Sequence, residues 1–348
     1  MTVDGYFAAS NSGRGFANYY PEVFGEAGRI FVIKGGPGTG KSRFMREVEK
    51  YSATRGWACR RYYCSSDPSS LDGILLCRGD ETLAVIDGTP PHVWEPAHPG
   101  VVEQLVNLGD FWDAARLRER RGELFEHERL KRLAWRQAYG WLSGCIDMCG
   151  VIRGIGQGLV DGRALEEYAV SMLAGTEPGD GFRARTALLN AVGMTGQATS
   201  DCFIIEAKTL YTVRDSFMTA HRLLDCVVEQ ARLRGLAVTI SRDPIDPERV
   251  DGVMLERDRV AIVVTDANVG RACFPIEMSS LNLPAGEDAV NEAIHAGRAY
   301  DSMLSGAIDA LTLVREHHFA MEEIYSSAMD FEAKERFTAE FCREVFGE

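Results

Sequence analysis

Short apolar runs, each closed by glycine or aspartate and several followed by a stretch with helical spacing, set the rhythm of this chain. Ile30, Phe31, Val32 and Ile33 run into the glycine-rich GGPGTGKS of residues 35–42, after which Phe44, Met45 and Val48 recur at helical spacing. That order predicts strand, loop and helix. Residues 57–64 predict a second strand, closed by CSSDP, and residues 83–86 a short buried strand closed by Asp87. Two longer stretches, roughly 101–175 and 285–346, carry apolar residues at helical spacing with charges of both signs and predict paired amphipathic helices. Between the halves, AGTEPGDGFRAR (174–185) has the glycine, proline and acidic density of a linker. Its position divides the chain into 1–175 and 176–348.

The pattern repeats. Shifting the first half by 179 positions lays Arg55-Gly56 on Arg234-Gly235, DPSSLDG (67–73) on DPERVDG (246–252), and Asp87 on Asp266. AYGWLSGCID at 138–147 likewise echoes AYDSMLSGAID at 299–309. An internal duplication explains both. The shift lays GGPGTGKS on residues 214–221, where neither glycine nor lysine survives and where Phe217 and Met218 are too bulky for a glycine loop's backbone path. The expected fold is therefore α/β: two tandem P-loop NTPase-like parallel-sheet domains, the second degenerate, each followed by a helical arm.

Composition narrows the function. The chain has 348 residues, 45% hydrophobic, and a net charge of -13, which argues against a dedicated duplex-DNA binder. Nine scattered cysteines, set mostly in apolar stretches, read as reduced cytosolic thiols. No basic start followed by an apolar run resembles a secretion signal, and no stretch of the sequence is apolar enough to span a bilayer. The expectation is a cytoplasmic protein without a membrane partner.

The loop at 35–42 carries the chemistry. It fits G-x-x-x-x-G-K-[ST] through Gly35, Gly40, Lys41 and Ser42. In such a loop Gly35, Gly36, Pro37, Gly38, Thr39 and Gly40 would curl the backbone so that N–H groups converge on phosphates. Lys41 would reach the β and γ phosphates, and Ser42 and Asp87 would hold magnesium. Asp67 and Thr89 are candidates for positioning water. Cys64, Ser65, Ser66 and Asp72 are expected near the same strand ends, and His92, like Thr89, is a candidate sensor of the γ-phosphate or water or else part of a polar loop leaving the sheet. Gly88 stands where many ATPases place a glutamate after the aspartate, which fits slow hydrolysis or chemistry that awaits a second substrate. Arg214, Arg222 and Arg271 are candidates for an arginine finger reaching the first half's phosphates. No N-K-x-D signature of guanine recognition is found where it would be expected, so ATP is the default nucleotide.

GGPGTGKS, CSSDPSSLDG, VIDGTPPH and HHFAMEEIYSSAMDF together resemble a family of bacterial tandem P-loop proteins described as ATP-binding proteins or ATPases. The likeness covers nearly the whole chain. It implies a P-loop NTPase fold, ATP with magnesium, and nucleotide-contacting roles for residues 35–42 and Asp87. The segment 214–221 departs from relatives that keep a usable loop in both halves. The leading expectation is a magnesium-dependent ATPase with one active site. Alternatives are a small-molecule or nucleotide kinase, and an ATP-gated binding module. A protein partner, a small-molecule acceptor and a homodimer all stay open.

Overall fold

The computed structural model describes residues 1–347 and shows a mixed α/β protein. One six-stranded sheet uses β1 (Tyr6–Phe7), β2 (Arg29–Lys34), β3 (Ala58–Tyr63), β4 (Leu71–Arg78), β5 (Glu81–Asp87) and β6 (Glu103–Asn107), in the order β1-β3-β4-β5-β2-β6. The other uses β7 (Arg183–Thr186), β8 (Thr209–Arg214), β9 (Ala237–Arg242), β10 (Val250–Leu255), β11 (Val260–Val264) and β12 (Phe274–Glu277), in the equivalent order β7-β9-β10-β11-β8-β12. The sheets are mixed rather than parallel, because β4 and β10 each run against both neighbours. The expectation of purely parallel sheets missed these strands. A tight hairpin joins β4 to β5 and reverses the chain, where a parallel connection would need a longer crossover.

The repeated DPxxxDG runs have a physical counterpart. Between β3 and β4 the register shifts at Tyr62/Tyr63, and between β9 and β10 it shifts at the matching Ser241/Arg242. The next hairpin breaks the match. Leu76 pairs with Leu83, whereas Leu255 pairs with Val260, so the second hairpin is two residues shorter. Ile33 consequently lies beside Asp87, but Val213 lies beside Val264. Asp266 is thus not the partner of Asp87; it lies beyond the strand and is exposed. The loop after β8 is shortened as well, since Arg214 ends its strand as Lys34 does.

The longer helices are α1 (Lys41–Ala53), α2 (Arg121–Gln157), α3 (Gly162–Met172), α4 (Ala220–Leu233), α5 (Glu287–Ser327) and α6 (Phe331–Phe346). Strand alternation splits the core into layers. Phe31 and Ile33 of β2 face a cluster with Phe44, Met45 and Val48 of α1, while Ile30 and Val32 face a cluster shared with Leu210, Met254 and Val263 of the other sheet. The sheets therefore bury one face against each other and cover the outer face with helices.

The arms are exchanged. α2 leaves the first sheet and delivers α3 to α4, where Leu165, Ala169 and Met172 join Leu223, Leu224 and Val227. α5 returns and delivers α6 to α1, where Phe341 and Cys342 join Phe44 and Met45. Where α2 and α5 pack together, each uses a glycine to admit the other's large side chain. A Cβ on Gly144 would lie 2.8 Å from the Met303 sulfur, and one on Gly306 would lie 2.8 Å from the Trp141 ring. Dividing the chain after residue 175 thus leaves α3 and α6 on covalent halves other than those they complete.

Two further segments differ from the sequence expectations. Residues 103–107, assigned to a helical region, form an edge strand beside β2. The expected linker is fastened down: Gly179 and Gly181 donate to the carbonyls of Arg234 and Gly235, and β7 pairs with β9. Among the described residues no helix is long and apolar enough to cross a membrane.

Candidate functional site

β2 ends at Lys34 and α1 begins at Lys41, so residues 35–40 must turn within one short loop. Gly38 has φ +70° and Gly40, which caps α1, has φ +80°, backbone conformations that side chains disfavour. A Cβ on Gly38 would also lie 2.5 Å from the Glu322 carbonyl oxygen, because α5 packs directly on the loop. The first turn of α1 contains no acidic residue, and its N-terminus faces the cavity described below, an arrangement favourable to anions.

Lys41 turns back over the loop. Its Nζ donates to the carbonyl oxygens of Gly35 at 3.2 Å and Gly36 at 3.0 Å and stands 3.5 Å from Asp87 Oδ2. Asp87 Oδ1 accepts from the Thr89 N–H at 2.9 Å and hydroxyl at 2.6 Å, so Thr89 orients this carboxylate. Ser42 Oγ accepts from the Leu71 N–H at 2.9 Å, tying the start of α1 to the end of the bulged loop. Thr39 donates its hydroxyl to the Gly36 carbonyl at 2.9 Å. Asp67 uses Oδ1 for the Ser69 N–H and hydroxyl, a local turn. Residues 35–42, Asp67, Asp87 and Thr89 all line a single cavity of about 800 Å³.

Behind them lies a buried ionic cluster. His92 Nε2 stands 3.2 Å from Asp72 Oδ2, its ring stacks on Tyr20 at 5.0 Å, and its Nδ1 has no hydrogen-bond partner. Burial opposes the imidazolium, but the Asp72 carboxylate outweighs it and pushes the histidine up to about 9. Such a group is already protonated at neutral pH, so it holds the 89–92 loop rather than accepting a proton. Burial also pushes the neighbouring Cys64 thiol well up, which keeps it a thiol.

The arms close the cavity. Lys131, Trp135 and Tyr139 reach it from α2, and Val314, His318 and Glu322 from α5. His318 and Glu322 form a 3.6 Å pair beside the loop. Burial acts against the Glu322 charge, yet His318, the Gly38 amide and Lys41 hold its carboxyl below the usual range. Among the described residues no cluster of His, Cys, Asp or Glu suits a metal by itself. Arg214, Arg222 and Arg271 do not line the cavity; Arg214 pairs with Glu277, and Arg271 donates to the Ile204 and Ala207 carbonyls.

The matching position in the second half is filled by the chain's own carboxylate. Asp215 accepts from the Ala220 N–H at 2.5 Å, the Phe217 N–H at 3.1 Å and the Thr219 hydroxyl at 3.3 Å. It places an internal carboxylate on the first N–H of α4. The sequence showed the missing glycines there but not this replacement.

Compared with protein-family models, with curated proteins and with solved structures, the chain gives no match.

Proposed function

We propose that the first half binds a magnesium-bound nucleoside triphosphate, ATP by default, and turns it over as a magnesium-dependent ATPase. The observation that carries this reading is the approach of Lys41 to Asp87, 3.5 Å apart at the mouth of a loop with two left-handed glycines. The residues suit the ligand. Lys41 is held only by two carbonyls and a carboxylate, so it can turn to phosphate oxygens while the loop N–H groups and the start of α1 favour their charge. Ser42 and Asp87 would hold the metal, with Thr89 fixing the carboxylate through its other oxygen. Bound magnesium would supply charge neutralisation across the β and γ phosphates. Asp67 spends one carboxylate oxygen on its turn and keeps the other for orienting water.

A phosphoryl acceptor in place of water is the second reading. It is favoured by the extent of the cavity, whose lining includes Trp135 and Tyr139 as well as the glycine loop, and by Gly88 after Asp87. The test of the first reading is magnesium-dependent ADP release by wild type and Lys41→Ala, with and without a pool of nucleosides, nucleotides and common metabolites. Wild type should release ADP without the pool, and the variant should lose about a hundredfold or more. A pool-dependent rise would support the acceptor reading, and undiminished release by Lys41→Ala would overturn both.

A further inference from the structure

Besides the glycine loop, the cavity is lined by Phe16 and by Trp135, Tyr139, Met194 and Val314, which pack in one cluster and form a chamber. Trp135 and Tyr139 lie one turn apart on α2 and stack, with ring centroids 5.4 Å apart and planes 21° apart. Hydrogen bonds tie this wall to the strand end. Tyr139 donates its hydroxyl to Asn11 Oδ1 at 3.2 Å, Asn11 Nδ2 donates to Ser66 Oγ at 3.2 Å, and the Met194 N–H donates to the Ser66 carbonyl at 2.7 Å. The chamber thus adjoins Ser66, whereas Phe331 lies against the start of α1, 3.8 Å from where a Cβ on Gly40 would lie.

One turn before Trp135, Lys131 lines the same cavity and has neither hydrogen bond nor ion pair among the described residues. Burial lowers its pKa, against the weaker pull of Glu128 and Glu322. A partly buried ammonium without a partner is costly unless a ligand anion meets it. Aromatic faces and a free cation on one helix face together describe a ligand.

We propose that the chamber is a second subsite, beside the nucleotide's, for a small molecule with a planar aromatic body and an anionic group. The ring stacks against Trp135 and Tyr139, and the anion meets Lys131. The inference rests on the nucleotide reading for what occupies the glycine loop. It goes beyond that reading in naming the class of the second ligand.

The test titrates 1-naphthyl phosphate calorimetrically into the full chain saturated with magnesium and a non-hydrolysable imido analogue of ATP. Binding is expected alongside the analogue. Lys131→Met and Trp135→Ala should each weaken it by about tenfold or more while leaving the analogue's affinity unchanged. Trp135→Phe, which keeps a ring, should retain most of it and guards against loss of fold in the alanine variant. Displacement of naphthyl phosphate by the analogue, or weaker analogue binding in Trp135→Ala, would make the chamber part of the nucleotide site and overturn the proposal. So would binding indifferent to both Lys131 and Trp135. If the analogue fails to bind but naphthyl phosphate still requires Lys131, the subsite stands and the nucleotide reading falls.

Discussion

Asp215 Oδ2 accepts the Ala220 N–H at 2.5 Å, placing a carboxylate at the start of α4. The first half keeps the matching helix start open to the cavity, with Gly40 as its cap. Burial raises the Asp215 pKa against the hydrogen bonds from Ala220 and Phe217, so the carboxylate is confined there at some cost. Asp215→Ala should remove a helix-capping acceptor and destabilise the chain by about 1–2 kcal/mol in denaturant unfolding. The vacated N–H groups should then take up sulfate. Thermal melting of the variant should rise with sulfate more steeply than that of wild type, and equal responses would count against the internal-anion reading.

The Asp72–His92 pair predicts a pH dependence with a definite sign. The folded-state pKa of His92 is about 9, above its ordinary 6.5. Its contribution is therefore fully present below about pH 6.5 and is lost as the pH rises through about 9, amounting to about 3 kcal/mol over that window. Unfolding free energies measured from pH 6 to 10 should show this loss, and His92→Gln should flatten it. A wild-type slope retained in the variant would show that other groups set it.

Gly38 combines a left-handed backbone with a close approach to α5, so Gly38→Ala should strain the loop and push on the Glu322 carbonyl together. ATP affinity should fall by about tenfold or more, a cost of roughly 1–3 kcal/mol. Gly79 is the control: its φ is +58°, but nothing lies within 4 Å of an added Cβ. Gly79→Ala should carry some backbone strain and leave ATP affinity unchanged in the same titration.

What was legible in the sequence was local. GGPGTGKS is contiguous, and the strand and helix that frame it follow from apolar spacing next door. The repeated DPxxxDG runs marked equivalent β-bulges because both sequence and register are preserved there. Asp266 misled because an ungapped comparison cannot see a hairpin shortened by two residues. Amphipathic spacing showed that α3 and α6 bury a face, but not which sheet's helix receives it. Lys131 and Trp135 looked like ordinary residues of a charged helix, since their place beside the loop depends on how α2 crosses the molecule.

The exchange of arms yields the most direct mechanical prediction. Phe341 of α6 meets Phe31 at 4.8 Å edge-on and Phe44 at 5.0 Å, on the face of β2 and α1 from which the glycine loop departs. Phe341→Ala would open a cavity in the first half's core, costing about 3–5 kcal/mol. Backbone amides of β2 and α1 should lose hydrogen-exchange protection, and ATP affinity should fall because the loop's two anchors loosen. The core of α3 and α4 shares no residue with that cluster and should keep its protection until global unfolding. Equal loss of protection in both cores would mean that the shared layer between the sheets, rather than the exchanged helices, sets the unit of unfolding.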